Sequence, residues 1–286
     1  MRLYAPAKLN LFLRVLRRRP DGYHELETLF QKISLCDEVE LKKATYISLE
    51  VKGEAPPGRE NLCFRAAEAF LSRAAICAGV FIRLRKRIPA GTGLGGASSD
   101  AAAVLKGLSA LYPGHLSEAE LFSLAQTLGA DVPFFLSPYA TALARGIGDE
   151  LSPFPETPAW YLVVVPPFRV STSWAYQNLR LTKEKTPLNY GPKAPEGALN
   201  FEGVLENDFR AVVFERYPEL YELEKALLSA GARACGLSGS GSALFGIFAE
   251  EGAARRAEAG LVTRFPAYAF YVVTNYKEGT PCSSTT

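Results

Sequence analysis

The chain has 286 residues, of which 48% are hydrophobic and 22% charged, with a formal net charge of +2. That balance suits one large or two ordinary globular domains and is too weakly basic to argue for nucleic-acid binding, and the sequence holds no run of about 18 apolar residues to span a membrane. The five cysteines, at 36, 63, 77, 235 and 282, form no C-x-x-C pair and there are only two histidines. With a start, MRLYAPAKLN, that lacks a signal peptide, this predicts no zinc site and no disulfide framework, a reducing cytoplasm, and Cys63 and Cys77 as small core residues.

In chain order, the apolar residues Leu3, Ala5, Ala7, Leu9, Leu11, Leu13 and Val15 alternate with Tyr4, Lys8, Asn10 and Arg14. A period of two predicts a half-buried strand, with Lys8 and Asn10 on one face about 6–7 Å apart. RRRPDGY is a turn. YHELETLFQKISL, DEVELKK and YISLEV are further strand-like stretches. No helix separates them, so antiparallel pairing is expected. Asn61 caps a helix through LCFRAAEAFLSRAA. GVFIRLRKRIP is a strand, and Ser98, Ser99 and Asp100 head a helix through AAAVLKGLSALY. Ser117 and Glu120 form a capping box for EAELFSLAQTLG, which Gly129 ends. ATALARGIGDEL is a strand pair or hairpin.

A composition shift at LSPFPETPAW divides the chain into domains of 1–155 and 156–286. Beyond it, WYLVVVPP is a buried strand and TKEKTPLNYGPKAPEGALN a long polar loop. YPELYELEKALLSAGA is a helix, and ACGLSGSGSALFGIFA is a second glycine-serine loop feeding a strand. EEGAARRAEAGL is a helix, YAFYVVTN a last strand, and PCSSTT a frayed tail. Strands and helices come in runs, so the class is α+β.

The stretch IPAGTGLGGASSDAA contains Gly91-x-Gly93-x-x-Gly96. A dinucleotide site would need a parallel strand after the next helix and an acidic residue at its end; another helix follows instead, opened by Glu118. A Walker A loop needs Gly-Lys-Ser/Thr, and Lys106 is too deep in the helix; the protein-kinase motifs are absent. What remains is a loop that brings backbone N–H groups and a helix N-terminus to an anion. Gly91, Gly93, Gly95 and Gly96 clear the approach, and Ser98 and Ser99 add hydroxyls. The plainer alternative, a serine-capped connection, needs fewer glycines. The basic runs Arg17-Arg18-Arg19 and Arg83-x-Arg85-Lys86-Arg87 are either solvated strand faces or an attraction for an anionic substrate.

PAGTGLGGASSDAA resembles the phosphate-binding motif of the GHMP kinase superfamily, PAKLNLFLRV its first motif and LSGSGSALFG its third. PAKLNLFLRVLRRRPDGYHELETLFQ and LGADVPFFL are most similar to one family within it, the 4-diphosphocytidyl-2-C-methyl-D-erythritol kinases. The resemblance runs from residue 3 to about residue 250. It implies an N-terminal ribosomal-protein-S5-domain-2-like domain, a C-terminal ferredoxin-like α+β domain, and ATP-dependent phosphorylation of the 2-hydroxyl of a cytidine diphosphate-linked methylerythritol in non-mevalonate isoprenoid synthesis. It implies no nucleic-acid or membrane partner and leaves the oligomeric state open. The alternatives are another small-alcohol kinase of the superfamily, of homoserine or mevalonate type, and a non-catalytic nucleotide- or RNA-binding protein.

Residue by residue, the resemblance makes Asp131 in GADVP the base that takes the hydroxyl proton, with Lys8 beside it to support the developing alkoxide. Pro133 is expected to keep the chain extended beyond Val132. Asn10 shares the face of Lys8 and can bond the substrate. Tyr23, His24 and Phe30 are either a core aromatic stripe or rings for a cytosine; the resemblance makes His24 the residue that bonds the base and places Tyr176 where a ring packs on its other face. ATP lies along Pro89, Ala90, Gly91, Thr92, Gly93, Leu94, Gly95, Gly96, Ala97, Ser98 and Ser99, with Mg2+ bridging its phosphates. Ser98 and Ser99 are equal candidates for the metal, and no superfamily glutamate has an equivalent here. LSGSGS, residues 237 to 242, closes the site from the second domain or is a plain hairpin turn.

Overall fold

Two long strands carry the architecture. In the computed structural model, which describes residues 1–181, 184–188, 201–279 and 282, β1 (Arg2–Arg18) pairs antiparallel with β2 (His24–Ala44). Sequence patterning splits β2 into two stretches. The structure runs them together, because the buried Asp37 carboxylate does not open a turn; it accepts from Arg87 N at 2.5 Å and Ile88 N at 2.9 Å. The first sheet adds β3 (Ser48–Lys52), β4 (Gly79–Arg85), β5 (Thr141–Arg145) and β6 (Glu150–Pro153), in the order β3-β4-β2-β5-β6 with β1 on β2. The length of β2 lets it serve three partners: β1 along most of its length, β5 near its start and β4 near its end.

Antiparallel pairing holds for β1 and β2 but not for β3, which lies parallel to β4. A parallel neighbour needs a crossover, and α1 (Leu62–Arg73) supplies it, capped as expected by Asn61 Oδ1, which accepts from Cys63 N at 2.9 Å. α2 (Gly96–Leu111), α3 (Glu118–Leu128) and α4 (Val132–Leu136) pack with α1 around a core that includes Phe70, Ile82, Leu105 and Phe134. The Ser117–Glu120 capping box is present. The expected extended chain after Asp131 is not. Pro133 sits in the first turn of α4, where a missing N–H costs nothing and a fixed φ helps.

The second sheet has the order β11-β7-β10-β9-β8, from β7 (Trp160–Val165), β8 (Gly203–Val204), β9 (Ala234–Leu237), β10 (Leu244–Phe248) and β11 (Ala269–Thr274). Without β8, which adds parallel to β9, the four antiparallel strands follow a ferredoxin-like βαββαβ order. α6 (Phe209–Arg216) and α7 (Glu219–Ser229) precede β9, and α8 (Glu251–Arg264) precedes β11. α5 (Thr172–Asn178) and α6 were not legible as elements in the sequence. The expected polar loop falls mostly outside the described residues. No helix among those residues is long and apolar enough to cross a membrane.

β1 was expected to be half-buried, yet Ala5 through Leu13 are buried on both faces. The second sheet covers one face: Ala7, Leu9 and Leu11 join Ile33, Tyr161, Val163 and Phe245 in one apolar cluster. Burying a Leu or Phe there contributes about 1.5–3 kcal/mol, so the seam between the sheets is core rather than a hinge surface. The opposite face carries Lys8 and Asn10.

Residues 275 and 276, just beyond β11, lie against β2. Asn275 bridges Ile33, and Tyr276 N donates to Lys32 O at 2.9 Å. Cys282 lies beside Cys36 of the same strand, with Cα atoms 5.7 Å apart, and they form a disulfide. The expectation of no disulfide and of a frayed Cys282 is thereby corrected; a partner 246 positions away leaves no spacing signal in sequence. Cys63 is buried as expected, whereas Cys77 lies exposed after α1.

Lys32 is buried on β2, donates to Ser137 O at 2.8 Å and lies over the Phe134 ring. Burial, aided by the charge of Lys106 and opposed by Glu278, pushes its pKa down to about 7 from 10.5. The unfolded chain therefore holds this proton between about pH 7 and 10.5 while the folded chain releases it, so this group makes stability rise with pH across that window. Lys32→Met should remove the rise. Its stability relative to wild type, from denaturant midpoints at pH 7, 8, 9 and 10, should fall steadily as pH increases; a constant difference contradicts the assignment.

Candidate functional site

A cleft of about 1260 Å³ opens over the face of β1 that carries Lys8 and Asn10, lined also by the glycine loop and α5. Its floor begins where β4 ends. Lys86, the residue after β4 and its Arg85, points inward, and its ammonium is held by Asp37 of β2 and by Asp100 of α2, the latter at 2.6 Å. Burial alone would lower the Lys86 pKa, but the charges of Asp100 and Asp37 outweigh it and raise it. Burial and the neighbouring Asp37 push the Asp100 carboxyl well up. Strand end, following turn and helix are thus tied together by one buried lysine.

The glycine loop follows. Gly91, Gly93 and Gly95 all have positive φ, and Gly95 is the left-handed cap of α2. The helix starts at Gly96, ahead of the expected serine head, because a glycine in that conformation ends the loop sooner than a serine cap could. Pro89 through Ser98 line the cleft, whereas Ser99 faces the interior with its Oγ unpartnered among the described residues. The two serines the sequence left equal are therefore placed differently.

The second glycine-serine loop connects β9 to β10, so it is a hairpin turn, and it also docks on the first loop. Ser238 Oγ donates to Gly93 O at 3.0 Å, and Ala243 N to Thr92 O at 3.1 Å. A Cβ on Gly93 would collide with the Ser238 carbonyl oxygen. Asn207, missed in the sequence, holds the second loop by donating to Leu237 O at 2.8 Å and Gly239 O at 2.9 Å. Its only sequence cue is an Asn-Asp pair ahead of a helix.

Lys8 and Asn10 share a face as expected, but that face is not solvated. Lys8 is 3% exposed, and its Nζ donates to Asn10 Oδ1 at 2.5 Å. Asn10 Nδ2 donates to Thr28 Oγ1 at 2.8 Å, and Thr28 Oγ1 to Phe12 O at 2.6 Å. Asn10 therefore orients the lysine, and Thr28 joins the site without having been anticipated. Lys8 Nζ lies 3.9 Å from Asp131 Oδ2. Asp131 makes no capping bond at α4, and its side chain is 33% exposed, facing the cleft. Burial lowers the Lys8 pKa, and Asp131 partly restores it.

The aromatic end contains Tyr23, exposed at the rim, and His24, which stacks on Tyr176 with centroids 4.8 Å apart. Burial and then Arg18 lower the His24 pKa, so its ring is neutral at pH 7. Burial and then Asp131 push Tyr176 up to about 12. Phe30 lies deeper, packed on Phe134 and under Lys8. Of the basic runs, Arg17, Arg19, Arg83, Arg85 and Arg87 form ion pairs at the surface, while Arg18 and Lys86 line the cleft.

Residues 61–138 match the family described as GHMP kinases N terminal domain, and residues 193–267 match GHMP kinases C terminal. The chain is 46% identical to the 4-diphosphocytidyl-2-C-methyl-D-erythritol kinase of Geobacter sulfurreducens, over 89% of this chain and 92% of that one. To the protein of the same description from Geotalea daltonii it is 44% identical, over 88% and 91%. A crystal structure of 4-(cytidine 5'-diphospho)-2C-methyl-D-erythritol kinase superposes with a TM-score of 0.80 at 39% identity, covering 97% of this chain and 100% of that one. Homoserine kinase from Cytophaga hutchinsonii shares the fold alone, with a TM-score of 0.69 at 17% identity over 98% and 96%.

The contact between the loops makes a directional prediction. Gly93→Ala should abolish binding of a fluorescent ATP analogue and lower the melting temperature, because the new Cβ meets backbone. Gly114, also at positive φ but with open space around it, is the control: Gly114→Ala should cost only about 1–2 kcal/mol of local strain and leave binding intact. Equal behaviour of the two variants would show that the contact is dispensable.

Proposed function

The chain belongs to the family of 4-diphosphocytidyl-2-C-methyl-D-erythritol kinases, a branch of the GHMP kinases, and on that premise we propose how its cleft carries out the reaction. The enzyme is an ATP-dependent kinase whose acceptor is the 2-hydroxyl of the cytidine diphosphate-linked methylerythritol. The observation that carries the site assignment is the Lys8–Asp131 pair, 3.9 Å apart, in a cleft that also holds a phosphate-type loop and a stacked aromatic pair.

Phosphoryl transfer needs positioning and charge stabilisation more than covalent chemistry. The backbone N–H groups of the loop from Pro89 to Ser98, with the start of α2 behind them, receive the ATP phosphates. Asp131 accepts the proton of the acceptor hydroxyl as its oxygen bonds the γ-phosphorus and the bond to the β-phosphate oxygen breaks. Lys8, fixed by Asn10 and Thr28, offsets the negative charge on the attacking oxygen. Neutral His24 has one donor and one acceptor nitrogen, which suits the edge of a cytosine. Tyr176 packs on a face of the base, so His24, which now stacks on that ring with centroids 4.8 Å apart, parts from it when the base enters.

For Mg2+, the described residues offer no group of three or more His, Cys, Asp or Glu side chains that could hold a metal ion. An ion that arrives on the nucleotide needs only one or two protein oxygens, and Ser98, in the first turn of α2 and lining the cleft, fits that need. When bound, Mg2+ neutralises charge on the β- and γ-phosphates. A cytoplasmic location accords with an ATP-consuming reaction on a small charged substrate, and a domain division near residue 155 accords with the link between β6 and β7.

An ADP-release assay that compares the cytidine diphosphate-linked alcohol with homoserine and mevalonate tests the acceptor, and turnover on only the first is expected. Asp131→Asn and Lys8→Met should each lower kcat by about 10²-fold or more without loss of the folded state by melting temperature; near-normal turnover in both sinks the assignment. Because burial lowers the Lys8 pKa, wild-type activity should fall at alkaline pH below 10.5, as the buried ammonium loses its proton. The residual activity of Lys8→Met should lack that limb.

A further inference from the structure

We propose that Arg169 is a phosphate-binding residue of the nucleotide site, parked on Glu54 and transferred to the ATP phosphates when the nucleotide enters. The proposal rests on the kinase reading above. Three cationic side chains are seen against the glycines of the two loops: Lys8 at Gly95 and Gly239, Lys86 at Gly96, and Arg169 at Gly91. The first two are buried and committed, Lys8 to Asn10 and Asp131, Lys86 to Asp37 and Asp100. Arg169 differs from both. Its guanidinium pairs with Glu54, which lines the cleft, and the two side chains are 55% and 70% exposed.

An exposed ion pair of this kind is weak and readily exchanged. A guanidinium on a phosphate forms a charge-assisted, bidentate contact, and a nucleoside triphosphate carries several negative charges against one on Glu54. The position is right for the exchange. A Cβ on Gly91 would lie 3.2 Å from Arg169 Cδ, so the arm already rests on the loop that receives the phosphates. Its backbone is held still: Ser242 Oγ donates to Phe168 O at 2.7 Å, and the Phe168 ring stacks on Tyr217 at 4.5 Å. A fixed backbone with an exchangeable head makes Arg169 a mobile charge delivered from the second sheet to the loop of the first. Glu54, which lines the cleft, is its competitor.

Of the two partners, only Arg169 should therefore weaken nucleotide affinity when it is lost. Titration calorimetry with ADP and with adenosine, on the full chain, is the test. Arg169→Gln should weaken ADP binding about tenfold or more and leave adenosine unchanged. Glu54→Gln should leave ADP affinity unchanged or improve it, by freeing the arginine. Both residues are exposed, so the variants fold. ADP binding unaltered in Arg169→Gln, or weakened equally in both variants, overturns the proposal; the second result marks a simple latch across the cleft. A wild-type chain that binds neither ADP nor ATP removes the nucleotide reading itself, and this proposal with it.

Discussion

The reaction centre depends on two turns whose backbones meet directly, Gly93 against the Ser238 carbonyl. Gly93 lies against Ser238, and the hydrogen bonds from Ser238 Oγ and Ala243 N to the first loop leave no room for rearrangement. One turn leads from the first sheet into α2, and the other joins β9 to β10 in the second sheet. Their contact fixes the relative position of the two sheets at the place where phosphate is handled. Behind it, Leu9, Tyr161 and Phe245 form one apolar core across the same seam. Interiors packed at this density have discrete rather than graded arrangements, so a shift at the seam would be felt at the loops.

Around this contact the fold buries two lysines, which is costly unless each ammonium is paired and hydrogen-bonded. Lys86 meets that need structurally, with two carboxylates that bind the loop's entry strand to its exit helix. Lys8 meets it with an amide and a single carboxylate at the edge of its reach. The difference in pairing matches a difference in availability: the first lysine is saturated, the second can still attract a developing charge. The local strand geometry makes this possible. β1 has a register shift between Asn10 and Phe12, and Leu11 and Phe12 both join the core between the sheets. The bulge places two successive side chains in the apolar layer and leaves Lys8 and Asn10 together on the other face.

Much of this was legible in the sequence wherever the information is local. The period of two placed Lys8 and Asn10 on a common face, Ser117 and Glu120 announced a helix start, and the density of glycines marked the loop. β7, β10 and β11 of the second sheet were legible too, because they are short apolar runs bounded by turn residues, whereas β8 and β9 were not. Features that depend on residues far apart in sequence were not. Asp37, Lys86 and Asp100 carry no shared pattern until β2, β4 and α2 are assembled. The parallel partner of β3 was hidden because a crossover helix lies between the two strands. Pro133 misled, since the same residue that blocks a helix interior is at home in its first turn. Cys36 and Cys282 could not be paired from spacing, and the parking of Arg169 on Glu54 joins two loops that belong to different sheets.

The contact of the last strand's extension with β2 has a consequence for how the chain comes into being. β2 is made before the second sheet, yet Asn275, Tyr276 and Cys282, which cover it, are made after that sheet's final strand, β11. On a ribosome the first sheet therefore emerges with one flank uncovered, and the apolar seam that the second sheet will fill stays open to water. Domains usually fold as they leave the ribosome, from the N-terminus onward. Here the order cannot be completed that way: the first sheet waits for the second, and the segment beyond β11 is laid back over β2.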